Sequence, residues 1–334
     1  MKRVLVFLSV LSLAGASLPA SAAGSGQAYD QITKFQPGAD IGKTEPGDFT
    51  SDWKTASNPP ESEPPHGGMF GNLKIAIPQM NGAMAMMRNG RAESHWIAGL
   101  KERTDFPADQ VGTITDCGAR TITHLDLKAK TYYVVSMDQP QKPAPRGGRA
   151  PAPGPAATDD GTKFSMTVVN TALGPKHPFG NDASGYLSDI TTVTTPPSGD
   201  PKTSTIHRKT YVSGVAQQWL NCSTGMQSGQ GMVAAINRFS QLSRALALKD
   251  SRFSVSSSGP TVPTTLSYFE VMQVAGGDNG GGQDEDNPGR GRRGGNFAIV
   301  VERNNLRSIG PDDPALSVPA GFTKVDPPAG SAGY

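Results

Sequence analysis

Apolar and polar residues alternate in short runs along most of this chain, and turn residues interrupt them roughly every 8–12 positions. Glu93–Ala98, Leu100–Phe106, Val111–Cys117, Arg120–Asp126 and Thr131–Val135 read as successive strands. Gly99, Gly118 and Lys128-Ala129-Lys130 supply the connections. The pattern is that of an antiparallel meander. Strands resume at Lys163–Val169, Gly185–Thr195, Thr205–Val215, Arg252–Val255, Thr264–Val274 and Phe297–Glu302. A different period appears once, between Ser228 and Lys249. There Met232, Ile236, Phe239, Leu242 and Leu246 recur at three and four residues, and Asn237, Arg238, Gln241 and Arg244 fill the opposite side. This is the stripe of an amphipathic helix, with Ser228 or Gly229 as its cap.

The expected fold is therefore α+β, a curved antiparallel sheet (a half-barrel) wrapped on the 228–249 helix. Residues 67–330 form this domain. Two low-complexity stretches, 139–161 and 276–295, read as long loops inserted in it. Residues 24–66 are rich in Gly, Pro and Ser, with Tyr29, Ile32, Phe35, Ile41, Phe49 and Trp53 as apolar anchors. They read as an irregular lead-in with one or two short strands.

Residues 1–23 have the form of a secretory leader. Lys2 and Arg3 precede the apolar run Val4–Leu13, and Ala20-Ser21-Ala22 and Ser21-Ala22-Ala23 offer small-x-small cleavage sites. The run is too short for a membrane-spanning helix. Leu13-Ala14-Gly15 is followed by Ala16 where a lipoprotein would carry cysteine, so the expected product is soluble and unlipidated, with no integral membrane segment once the leader is removed.

Charge sharpens this. The 334 residues carry 31 Lys plus Arg and 29 Asp plus Glu. Without Lys2 and Arg3 the two signs balance, which argues against an electrostatic claim on nucleic acid or anionic lipid. The two cysteines, Cys117 and Cys222, are an even pair in an exported chain, which points to a bridge; two separate buried thiols is the alternative.

Little in the sequence carries chemistry. Met80, Met84 and Met87 have helical spacing in a methionine-rich stretch. They read as core filler, or as a soft surface for an apolar ligand together with Trp96. The five histidines show no metal-ligand spacing, although His95 and His124 fall on strands that could face each other. Gly225-Met226-Gln227-Ser228-Gly229 has its serine one place late for a nucleophile elbow. Gly229-Gln230-Gly231 has the letters of a dinucleotide turn without the βαβ unit it needs. The Asp/Gly segment 276–286 fits no calcium-loop spacing. The Arg-Gly pieces at 146–149 and 290–295 lack interleaved aromatics. No catalytic residue, cofactor or metal is assigned.

Four segments resemble those of uncharacterised exported bacterial proteins with a lipoprotein-localisation-factor-like half-barrel. They are Trp96-Ile97-Ala98-Gly99-Leu100-Lys101-Glu102-Arg103; the hairpin His124-Leu125-Asp126-Leu127-Lys128-Ala129-Lys130-Thr131-Tyr132; Ala172–Gly180 leading into Gly185-Tyr186; and Val318-Pro319-Ala320-Gly321-Phe322-Thr323-Lys324-Val325. The resemblance implies a periplasmic or secreted protein of a Gram-negative bacterium, with an apolar concave face and no catalytic residue. The expected function is a non-enzymatic carrier or chaperone for lipid, lipoprotein or another apolar ligand. A structural or interaction protein of the envelope is the second expectation. A hydrolase assembled from Asp189, His207 and Ser223 is the third, and nothing in the sequence brings these three together.

Overall fold

The computed structural model describes residues 26–58, 89–138, 162–218, 220, 222, 253–275 and 297–328. Among them, thirteen strands form one open sheet. The strands are β1 (Gly26–Pro37), β2 (Arg91–Ala98), β3 (Lys101–Phe106), β4 (Val111–Asp116), β5 (Thr121–Asp126), β6 (Thr131–Ser136), β7 (Lys163–Lys176), β8 (Ala183–Thr195), β9 (Lys202–Ala216), β10 (Phe253–Ser258), β11 (Thr265–Ala275), β12 (Phe297–Ile309) and β13 (Thr323–Lys324). Their order across the sheet is β10-β7-β8-β9-β11-β12-β1-β2-β3-β4-β5-β6-β13. All pairings are antiparallel except β10 with β7 and β13 with β6.

This corrects the expected fold. The sheet is open, and it is not a half-barrel wrapped on a main helix. The 228–249 stripe lies outside the described residues; among the described residues the sole α-helix is α1 (Phe49–Ser57). Asp48 caps α1 by accepting from the Thr50 and Ser51 amides. The helix buries Phe49 and Ala56 against Ile32 and Ala92.

The lead-in holds more structure than its composition announces. β1 is the central seam of the sheet, pairing β12 on one side and β2 on the other. A strand buried on both faces ordinarily reads as a continuous apolar run. In β1 the buried positions include Gln27 and Gln31, whose amides are satisfied by other side chains and backbone, so that signal is missing. Gly26 is required at the start of β1: a Cβ there would lie 2.2 Å from Ala98 Cβ and 2.3 Å from the Ile97 carbonyl oxygen.

The meander β2–β6 forms as expected and has a feature finer than its strand pattern. From Lys101 onward, six-residue strands and four-residue turns repeat every ten residues. Gln110, Arg120 and Lys130 occupy the last turn position, each at φ 53°. Asp116 and Asp126 end their strands and accept from the amides of Ala119 and Ala129 at 2.8 and 2.7 Å. These are Asx turns.

The two faces of the central strands are covered differently. On one face Lys34 and Glu302 project toward a strap, residues 38–48, and toward α1. The core there is Tyr211, Phe269, Val271, Ala298 and Val300, with Ala39 and Ile41 of the strap packed on it. Farther along the same face, the segment after β12 lays Leu316 on Ala28, Ala98 and Trp96. On the opposite face, Met272, Ile299 and Val301 pack with Phe35 and Ile206.

Candidate functional site

Three groups of polar side chains qualify for consideration, and their positions decide between them. The first lies on the Met272 face at the sheet centre. Pairing aligns Tyr29, His95, Thr104, Thr113, His124 and Tyr133 in one row across β1 to β6. A stacked Tyr–His pair stands at each end, with ring centroids 4.9 Å apart for Tyr29–His95 and 4.7 Å for His124–Tyr133. His95 and His124 thus share a row, with β3 and β4 between them; they are not neighbours.

Around His95 the row thickens into a buried network. His95 Nε2 is 3.1 Å from Glu93 Oε2, and Nδ1 is 3.3 Å from Thr104 Oγ1 and 3.9 Å from Glu102 Oε1. Gln31 donates to the same Glu93 oxygen. Arg303 donates to Gln31 Oε1 at 2.8 Å and to Ser267 Oγ at 2.7 Å. Burial pushes the Tyr29 phenol up to about 12; nearby Arg303 opposes this, and Glu102 and Glu93 add to it. Two glutamates, a histidine and a tyrosine are a set able to move protons. Yet each member of this network is less than a tenth exposed. It is a polar core in which each group meets another, as buried ionisable groups must.

The second group fastens the strap. Glu302, 1 % exposed, accepts from Lys34 Nζ at 2.6 Å and from the Gly47 amide at 2.9 Å. Lys209, also buried, donates to Glu45 at 2.6 Å and to the carbonyls of Gly42 and Thr44. The Tyr211 hydroxyl donates to the second Glu45 oxygen. Burial and the Glu45 charge push the Tyr211 phenol up, while the bonds from Lys209 and Tyr211 outweigh desolvation and hold the Glu45 carboxyl low. These bonds are spent on holding residues 38–48 against the sheet.

The third group is exposed. His207 Nδ1 lies 2.6 Å from Asp189 Oδ1, with side chains 37 % and 48 % exposed. The sheet therefore joins two of the three residues of the hydrolase expectation; Ser223 lies outside the described residues. The pair sits on the strap face, beyond the strap, where β10, β7, β8 and β9 run side by side. Its neighbours in register are Val169 and Ser258.

The other expected site residues fall as follows. Cys117 and Cys222 are bridged, with Cα atoms 5.3 Å apart. The bridge joins the β4–β5 turn to the segment following β9. Next to it, Gln27 of β1 donates to the Ala216 carbonyl at 3.3 Å and accepts from the Gln218 amide at 3.1 Å. Trp96 is seated against Ala28, Ala98, Ile309 and Leu316, with the Arg103 guanidinium 5.3 Å above its ring. Asp105 grips that guanidinium through two bonds. Trp96 is thus occupied by packing. Met80, Met84 and Met87 lie outside the described residues. Sequence reasoning missed Glu93, Glu102, Arg303 and Tyr29; the signal available was charged residues placed inside β-periodic runs at 93 and 102.

Among the described residues, no group of His, Cys, Asp and Glu has the geometry to hold a metal ion. No helix there is long and apolar enough to cross a membrane. The bridge is compatible with an oxidising compartment. No family model, no curated protein and no solved structure matches the chain.

Proposed function

We propose that this chain is an exported, non-enzymatic binding protein of the bacterial envelope that presents the exposed face of β10, β7, β8 and β9 to a partner. One observation carries the reading. Around the central strands the side chains of both faces are buried, on one of them under the strap, α1 and the C-terminal segment, whereas on the outer halves of these four strands the strap face is open. Ser254, Ser256, Ser258, Thr167, Val169, Thr171 and Thr203 are all exposed on it. The leader and the bridge support placement in the periplasm or outside the cell. The carrier expectation drew its concave face from the half-barrel, and Trp96 is engaged in packing, so the interaction reading has the better support. It differs from the earlier expectation in using the sheet rather than the loops at 139–161 and 276–295.

Hydroxyl-radical footprinting tests this, with the protein read in buffer and in a preparation of its own envelope. The expected result is protection of Val169, Val193 and His207, with the exposed Leu100 and Val111 of the meander unchanged. Protection confined to other segments, or none anywhere, overturns the reading.

A further inference from the structure

The pairing registers of the four outer strands place their exposed and half-exposed side chains in straight rows. One row is Ser256, Thr167, Thr191 and Thr205; the next is Ser254, Ser165, Val193 and Thr203; a third is Ser258, Val169, Asp189 and His207. The bond from Ser256 Oγ to Thr167 Oγ1, at 3.1 Å, shows two members of the first row side by side on one face. Neighbouring strands stand about 4.8 Å apart and same-face residues about 7 Å apart along a strand, so the rows form a regular lattice.

The chemistry of the lattice narrows what it can hold. Each hydroxyl both donates and accepts, and threonine is stiff at χ1, so little side-chain entropy is lost on binding. Val169 and Val193 place methyl groups between the hydroxyls, and Val169 is 42 % exposed. The two titratable side chains in these rows, Asp189 and His207, are bonded to each other. Their bond uses one carboxylate oxygen and Nδ1, leaving Asp189 Oδ2 as an acceptor and His207 Nε2 for a second contact. A polyanion finds no cationic row here, and an acyl chain finds no continuous apolar one. A ligand with hydroxyls at its rim and C–H groups on its faces, repeated along a chain, matches all three kinds of side chain.

We infer that this face binds a neutral polysaccharide, with the rows of Thr191 and Asp189 as the contact. The inference rests on the proposed use of this face and adds the ligand class. The test is affinity gel electrophoresis of the protein through gels containing hydroxyethylcellulose, laminarin or dextran, with alginate as the anionic comparison. The variant is Thr167→Val/Thr191→Val/Thr205→Val, which removes three hydroxyls and keeps shape and strand preference; Asp189→Asn is the second variant. Retardation by a neutral glycan, weakened tenfold or more in the triple variant, is the expected result; each lost hydrogen bond contributes a few-fold. Three outcomes overturn it: no retardation by a neutral glycan, retardation by alginate alone, or retardation that the triple variant leaves unchanged. Inhibition of ice recrystallisation without glycan retardation would also overturn it, by assigning the lattice to ordered water. If the envelope footprint still covers Val169 and His207 while the glycans fail, the face is used and only the ligand class is wrong.

Discussion

The meander arm and the long-strand wing belong to one sheet but hold their register by different means. In β2–β6 each strand is six to eight residues long and each connection two to four. The turn itself sets the register, through an Asx bond and a left-handed last residue repeated every ten positions. In β7–β9 the strands run 13 to 15 residues, and hydroxyls stand on both faces of their outer halves. A slip of one residue there would exchange the face of the hydroxyl rows for the one that carries Met166, Ile190 and Ile206, of which Met166 and Ile190 are buried. The alignment of these strands is fixed at the inner end by particular bonds. Ser188 donates to Asn170 at 2.7 Å, Arg208 to Glu270 at 2.6 Å, and Lys209 to Glu45 of the strap. The arm is thus specified locally and the wing from a distance, and the fasteners that join them should carry the largest effects.

The bridge is the strongest of these fasteners. It closes a loop over a sequence separation of 105 residues, and its loss is expected to cost about 4–5 kcal/mol through the freed entropy of the unfolded chain. Urea denaturation of Cys117→Ser/Cys222→Ser, and of the native protein under reductant, measures it. If both lose less than about 1 kcal/mol, the Gln27 clamp and the strap suffice to join arm and wing.

Glu302 comes next. Glu302→Ala would strip the part-buried Lys34 of one carboxylate and the Gly47 amide of its acceptor. Removing one partner of a buried pair costs about 3–5 kcal/mol. Lys34 keeps Asp52, so about 3 kcal/mol is expected. The wing should feel it, because the strap that holds Lys209 comes loose: hydrogen exchange should rise in β9 and stay unchanged in β4 and β5. Equal increases in both would mean that the two regions unfold as one unit.

How much of this was legible follows the same division. The meander could be read because its turns advertise themselves; Gly118 and Lys128-Ala129-Lys130 were placed correctly from residue type alone. β1 could not, because Gln27, Asp30 and Gln31 sit where an apolar pattern was sought, and their partners, Arg303 and Glu93 among them, lie far along the chain. The same holds for the buried network. Glu93 and Glu102 look like solvent-facing residues until β1 and β12 are laid beside them. The bridge was expected from parity alone, whereas the Asp189–His207 pair needed the β8–β9 register. The α+β expectation failed because one clear 3.6-residue stripe outweighed a lead-in whose strand and helix were masked by Gly, Pro and Ser.

The buried row offers a smaller test at alkaline pH. Tyr29 is held at about 12 against an ordinary 10. Between these values the unfolded chain has released a proton that the folded one keeps, so stability falls as pH rises from about 10 to 12 and is unaffected below. The full loss is about 2–3 kcal/mol. Tyr29→Phe should make this fall shallower, leaving the share of Tyr211 and Tyr268, whose phenols burial also pushes up, and should remove one late-appearing phenolate from the titration. A phenol titrating normally at this position would mean that water reaches the row.

The smallest effect tests the local half of the comparison. Lys130 adopts φ 53° at the end of its turn, a conformation that costs an L-residue about 1–2 kcal/mol. Glycine removes that strain but adds about 0.4–1 kcal/mol of unfolded-state entropy. Lys130→Gly should therefore stabilise the protein slightly, by less than about 1 kcal/mol. Its carbonyl bond from the Thr323 amide is kept. Asp126→Ala, which deletes the turn's Asx bond, should cost about 1 kcal/mol. Arg120→Gly should gain less than Lys130→Gly, because the Arg120 side chain is also tied to Asp138. Chemical denaturation of the three variants checks this order. If Lys130→Gly destabilises while Asp126→Ala is neutral, the turns do not set the register of the arm, and its strands are aligned through side chains as those of the wing are.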